Sequence, residues 1–142
     1  MTFQFEEFDE LYCWIYDEFK GKKPEGERYI SRSFFINRLN DFHELSTDWD
    51  KKTNPSRNPH ETRARKGAPE KYGVLFFAVG ALRSLDVTIH YTPKPDNPAH
   101  SDIRCDPSLS RSLITQLARK IRELADWKIY FTEPVLYRNG TH

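Results

Sequence analysis

Two cysteines in 142 residues, Cys13 and Cys105, are too few for a disulfide framework, and no C-x-x-C spacing turns either into a zinc or redox motif. Both sit in apolar surroundings, where a free cysteine behaves as a small hydrophobe, and a reducing interior fits that usage. No apolar run approaches the ~20 residues of a membrane span. No basic stretch leading into an apolar core follows Met1, so the expected location is cytoplasmic, away from any membrane. The net charge of +1 supplies no global field for nucleic acid or a lipid surface. The patterns G-x-x-x-x-G-K-[ST], G-x-G-x-x-G, H-E-x-x-H and G-x-S-x-G are missing, which removes the usual sequence support for the corresponding nucleotide and hydrolase chemistries. There is no internal repeat and no low-complexity tract.

What is present is an aromatic, polar-surfaced chain. Ten Phe, seven Tyr and three Trp make up 14% of it, and charged residues 30%. Residues 1–142 fit a single domain, long enough to bury roughly two-thirds of its unfolded surface. Charge is unevenly placed. Residues 1–20 hold six acids against the single base Lys20, and residues 51–72 hold seven bases against two acids. An acidic start and a basic middle attract each other, within one chain or between copies.

Along the chain, Phe8, Leu11, Tyr12, Ile15, Tyr16 and Phe19 recur at three- and four-residue spacing. That predicts an amphipathic helix over about 5–20, with acids in its first turn. Residues 21–27, GKKPEGE, read as a turn. Residues 28–45 are ambiguous between strand and helix, with Ile30, Phe34, Phe35 and Leu39 requiring burial. Residues 51–71 hold three prolines and few apolar side chains, and predict a long basic polar loop. Val74–Phe77 reads as a buried strand and Ala78–Leu85 as a short helix. Asp106-Pro107 predicts a helix N-terminus, with Asp as cap and Pro at the first position. That helix runs to about Ala125, with Leu109, Leu113, Leu117, Ile121 and Leu124 as its apolar stripe and Arg111, Arg119 and Arg122 roughly opposite. Trp127, Ile129 and Phe131 alternate with polar residues as a last strand, which Pro134 ends. The expected fold class is α+β: a small, mostly antiparallel sheet packed against an N-terminal and a C-terminal helix.

The densest chemistry lies in Asp86–Cys105, DVTIHYTPKPDNPAHSDIRC. Val87, Ile89 and Tyr91 alternate with polar residues, as do Ser101, Ile103 and Cys105, which predicts two strands joined by a stiff loop over Pro93–Ala99. If the strands pair, His90, His100, Asp102 and Arg104 share a polar, solvated face. Asp96, Asn97 and Pro98 form a structural loop, because Asp and Asn bond nearby backbone amides and the residue before proline is held extended. The loop then presents His100 in a fixed direction. Beside Asp102, its imidazole serves as acid or base, or donates a ring N–H to the loop carbonyls and holds the turn. The holding role is the expected one. The candidate catalytic set is His100, Asp102, Arg83 and His90. The histidines and Asp102 have ligand-capable atoms, but their spacing matches no metal motif, so neither metal nor cofactor is expected. HYT at His90–Thr92 fits the H-x-[ST] signature of two-histidine phosphodiesterases, with a second match at His60 inside the basic loop. Arg57, Arg63, Arg65 and Lys66 in that loop, with Trp49 and Tyr72 at its ends, are the candidate nucleic-acid contacts.

Pro93–Ile103, PKPDNPAHSDI, resembles a motif of small bacterial proteins: a strand ending in Pro, then D-N-P-x-H with a hydrophobic residue shortly after. Leu82-Arg83 resembles the turn that precedes that strand, and Ser31–Phe34 and Ser46-Thr47-Asp48 resemble two earlier segments, with Thr47 in place of Val. The likeness spans about 28–105. It implies an intracellular bacterial protein and no particular activity, and it favours His100 over His90. The leading expectation is a binding or accessory domain acting with a protein partner in a bacterial conflict or defence system. The alternatives are an enzyme acting on a nucleotide or nucleic acid phosphate through His100, and nucleic-acid binding by the basic loop.

Overall fold

A computed structural model describes residues 5–16, 30, 32–52 and 72–129. In chain order they form β1 (Glu10–Tyr16), α1 (Arg32–Phe42), β2 (Glu44–Trp49), a 3-10 turn (Asp50–Lys52), β3 (Tyr72–Ala78), α2 (Val79–Leu82), β4 (Thr88–Tyr91), β5 (His100–Arg104), α3 (Arg111–Leu124) and β6 (Asp126–Ile129). The strands make one six-stranded sheet in the order β4-β5-β2-β1-β3-β6, antiparallel at every pairing. The α+β class is therefore as expected. The predicted 21–27 turn, the basic loop from 53 onward and the end of the last strand lie outside the described residues.

The predicted N-terminal helix is a strand. β1 lies between β2 and β3 and is buried on both faces, with Leu11, Cys13 and Ile15 on one and Tyr12 and Trp14 on the other. A strand covered on both sides reads as an unbroken apolar run, and such a run satisfies three-and-four spacing as readily as alternation. Tyr, Cys, Trp and Ile also fit a pleated surface better than a helix. Phe8, which completed the helical pattern, is 96% exposed in the turn before the strand.

Residues 32–45 resolve into both candidates. α1 buries Phe34, Phe35 and Leu39, and Phe35 meets Phe77 of β3 edge-on with ring centroids 6.1 Å apart. His43 ends the helix in the left-handed region at φ 60°, the αL stop common at helix C-termini, and redirects the chain into β2. α3 starts four residues later than Asp106-Pro107 predicts. Asp106 accepts from the Ser108 amide at 2.9 Å in a local turn, and Ser110 is the cap, its Oγ accepting from the Leu113 amide at 3.2 Å. With that start the buried stripe is Ile114, Leu117, Ala118 and Ile121, and Leu113 is 49% exposed. Arg122 is not a free surface cation, since its Nε donates to the Ile30 carbonyl at 2.7 Å.

α1 and α3 share a core with one sheet face: Leu11, Ile15, Leu45, Leu75, Phe77 and Ile103 pack among Phe34, Phe35, Leu39, Leu117 and Ile121. Tyr12, Trp14 and Val74 form a smaller cluster on the other face. No helix among the described residues is long and apolar enough to cross a membrane.

Candidate functional site

β4 and β5 pair antiparallel, with His90 opposite Asp102 and Ile89 opposite Ile103. Ile89 and Ile103 face the helices, so His90, His100, Asp102 and Arg104 share the opposite face. Register extends this face across the sheet: Tyr12 lies opposite Asp48, Asp48 opposite His100, and Ser46 opposite Asp102. The face is not solvated along β5. His100 is 8% and Asp102 3% exposed, closed in by Thr92, which bonds to both, with Asp48 and Ser46 of β2 beside them on the same face. The polar alternation announces the strand correctly, but it cannot reveal that both sides are covered.

The loop is built as a tight turn. Lys94 and Asn97 exchange backbone hydrogen bonds in both directions, at 2.9 and 3.0 Å, around Pro95-Asp96. Proline at the second position of such a turn has its backbone torsion already set. Asn97 then ties the turn down twice: its Nδ2 donates to Asp48 Oδ1 at 2.7 Å, and its Oδ1 accepts from the Ala99 amide at 3.3 Å. Tyr91 donates its hydroxyl to the Pro98 carbonyl at 2.7 Å. Asp96 is exposed and makes no side-chain bond among the described residues, so of the two expected turn-closers only Asn97 acts.

His100 is clamped by Thr92. Its Nδ1 lies 3.0 Å from the Thr92 carbonyl oxygen and 2.9 Å from Thr92 Oγ1, and that hydroxyl donates onward to Asp102 Oδ2 at 3.0 Å. A carbonyl only accepts, so Nδ1 carries the proton and donates it to Thr92. Nε2 stands 3.8 Å from Asp102 Oδ1, too far for a hydrogen bond. Arg104 Nη2 donates to Asp102 Oδ2 at 3.3 Å, and its Nε lies 3.3 Å from Glu44 Oε1. Three buried atoms in or beside this network have no hydrogen-bond partner: Asp102 Oδ1, Trp14 Nε1 and Arg104 Nε. A cavity of about 30 Å³, water-sized, lies between Tyr12, Trp14, Ser46, Asp48, Asn97 and His100.

The remaining candidates stand apart. His90 is exposed, its Nε2 2.8 Å from Thr88 Oγ1 on its own strand. Arg83 follows α2 and donates to the Phe5 carbonyl, and no contact joins it to His100 or Asp102. No group of three His, Cys, Asp or Glu among the described residues is placed to hold a metal. His60, Arg57, Arg63, Arg65 and Lys66 lie outside the described residues. Sequence reasoning missed Thr92, Asp48 and Trp14. Thr92 sat inside the H-Y-T tripeptide, but the other two come from strands distant in sequence and join the site only through register. Comparison of the chain with protein-family models, with curated proteins and with solved structures finds no match.

Proposed function

We propose that the chain is a small binding or accessory module that acts with a protein partner through the Pro93–Asp96 turn, and that the His100 cluster holds this turn in place. The clamp on His100 carries the reading. Its Nδ1 is committed to Thr92, Asn97 is committed to Asp48, and the half-open pocket beside His100 and Asn97 offers about 30 Å³, too small for a substrate. Pro93, Lys94, Pro95 and Asp96 face solvent above it. A turn stiffened by prolines and tied at its base has little freedom left to lose on binding, which is how preorganisation raises affinity. Asp48 and Asp102 add two carboxylates beside the histidine, an environment that opposes phosphate. The likeness to bacterial D-N-P-x-H proteins extends the proposal to an intracellular bacterial setting, with the partner encoded beside this chain in a conflict or defence system.

A second reading has its own observation. Asp102 Oδ1 and Trp14 Nε1 leave an acceptor and a donor unused near a histidine of fixed tautomer. That is the raw material of an acid–base site acting on a nucleotide or nucleic acid phosphate, with His100 as proton carrier and without Arg83. His100→Asn separates the two. The binding module predicts a lower unfolding midpoint and partner affinity lost in proportion. A His100→Asn protein that melts like the parent, yet loses turnover of a phosphate-bearing substrate found by screening, establishes the enzyme instead.

A further inference from the structure

The turn Glu6–Asp9 is braced at almost every residue. The Asp9 amide donates to the Glu6 carbonyl at 2.9 Å, and Asp9 Oδ2 accepts from the Glu6 amide at 2.8 Å and from Trp49 Nε1 at 3.0 Å. The Glu7 carbonyl takes the Gly80 amide at 3.0 Å and the Asp9 carbonyl takes the Val79 amide at 2.9 Å. Phe5 is buried against Trp49, with ring centroids 4.4 Å apart, and Arg83 holds its carbonyl. The exception is Phe8, 96% exposed at the tip. An aromatic side chain held on a rigid turn has little freedom left to lose on binding, and aromatic side chains are frequent interface anchors.

A socket lies on the same chain. A groove of about 350 Å³ runs between α3 and the Ser84–Asp86 segment, lined by Leu85, Leu109, Leu113 and Leu117 together with the polar Ser84, Asp86, Gln116 and Lys120. Its volume is in the ~300–1,000 Å³ range of sites that enclose a ligand group. Glu7, beside Phe8, and Lys120 are both exposed, and neither has an ion-pair partner among the described residues. Knob and socket are neighbours, because the Glu7 carbonyl is bonded to α2 and α2 runs directly into the Ser84–Asp86 wall. Two copies related by a two-fold axis can therefore exchange them reciprocally, giving a closed pair and not a growing chain.

We propose that this chain pairs with a second copy of itself, Phe8 of each seating in the other's groove with Glu7 against Lys120. The pairing is independent of the partner-binding reading. Sedimentation velocity on the full chain, diluted from about 100 μM to 1 μM, reads it directly. A dimer that dissociates on dilution is expected. Phe8→Ser and Leu113→Asp should each weaken it by about tenfold or more. Glu7→Lys should weaken it and the added Lys120→Glu restore it. As a second readout, mixing Phe8→Cys chains with Leu113→Cys chains under mild oxidant should give a cross-linked heterodimer. A monomer at 100 μM, a dimer indifferent to Phe8→Ser in a protein of unchanged circular dichroism, or no cross-link overturns the proposal. A groove filled instead by a partner's segment gives the monomer result and so also overturns it.

Discussion

Asn97 Nδ2 donates to Asp48 Oδ1 at 2.7 Å, a bond from the turn between β4 and β5 to the inner strand β2, 49 residues away. It is the one side-chain link between the proline turn and β2 among the bonds described, and it ends on a carboxylate 4% exposed. Asn97→Ala takes a charge-assisted donor from a buried group and should cost about 1.5–3 kcal/mol in denaturant unfolding. Asp96→Ala, one residue earlier and exposed, should stay within about 0.5 kcal/mol. Equal costs at the two positions contradict the anchoring role.

α3 tests the packing. Leu117 is buried in the shared core, and Leu117→Ala should cost about 2–5 kcal/mol. Arg119→Ala should cost under about 0.5 kcal/mol. Leu113→Ala sits between by sequence pattern but should resemble Arg119→Ala, because its side chain is half in solvent. Thermal unfolding of the three variants decides between the stripe predicted from spacing and the one in the fold.

Asp9 gives the acid dependence a sign. Burial pushes its carboxyl up, but hydrogen bonds from the Glu6 amide, Trp49 Nε1 and Lys51 outweigh this and hold it below the usual carboxylate range. A carboxyl whose folded value is depressed contributes stability above its unfolded value, and loses it as pH falls through the folded one. Asp9→Asn should therefore narrow the gap in melting temperature between pH 7 and acid. An unchanged pH profile removes Asp9 from the account.

The basic loop is tested by salt. If Arg57, Arg63, Arg65 and Lys66 contact a polyanion, affinity for single-stranded oligonucleotides should fall steeply with salt, since each neutralised phosphate releases counterions. Arg63→Ala, Arg65→Ala and Lys66→Ala together should flatten the slope. Salt-insensitive binding, or none at low salt, ends that reading.

The hairpin was legible because its signals are local: alternation on both strands, a proline-rich connection, and Asn before Pro. α1 was half legible, since Phe34, Phe35 and Leu39 had to be buried but nothing nearby fixed the period. β1 was misread because being covered on both faces is a property of its neighbours. The start of α3 was misread because Asp106-Pro107 satisfies capping chemistry that here closes a turn. In the candidate site, His100 and Asp102 came from one stretch of sequence. Thr92, their actual orienting group, was hidden by its ordinariness, and Asp48 and Trp14 by distance along the chain.

The strand order carries a kinetic consequence. Apart from the β4–β5 hairpin, every neighbouring pair joins distant segments: Leu11 with Trp49, Tyr12 with Phe76, Leu45 with Ile103, Val74 with Ile129. Closing such loops costs entropy before any contact repays it, and domains dominated by non-local pairing fold in milliseconds to seconds. Of the six strands β1 is made before the others and sits among the inner ones, so its two edges must wait for β2 and β3 and its Leu11–Ile15 face for α1 and α3. The hairpin around His100 is the one pairing that needs no long loop closed, so β2, already made, can add to it through β5.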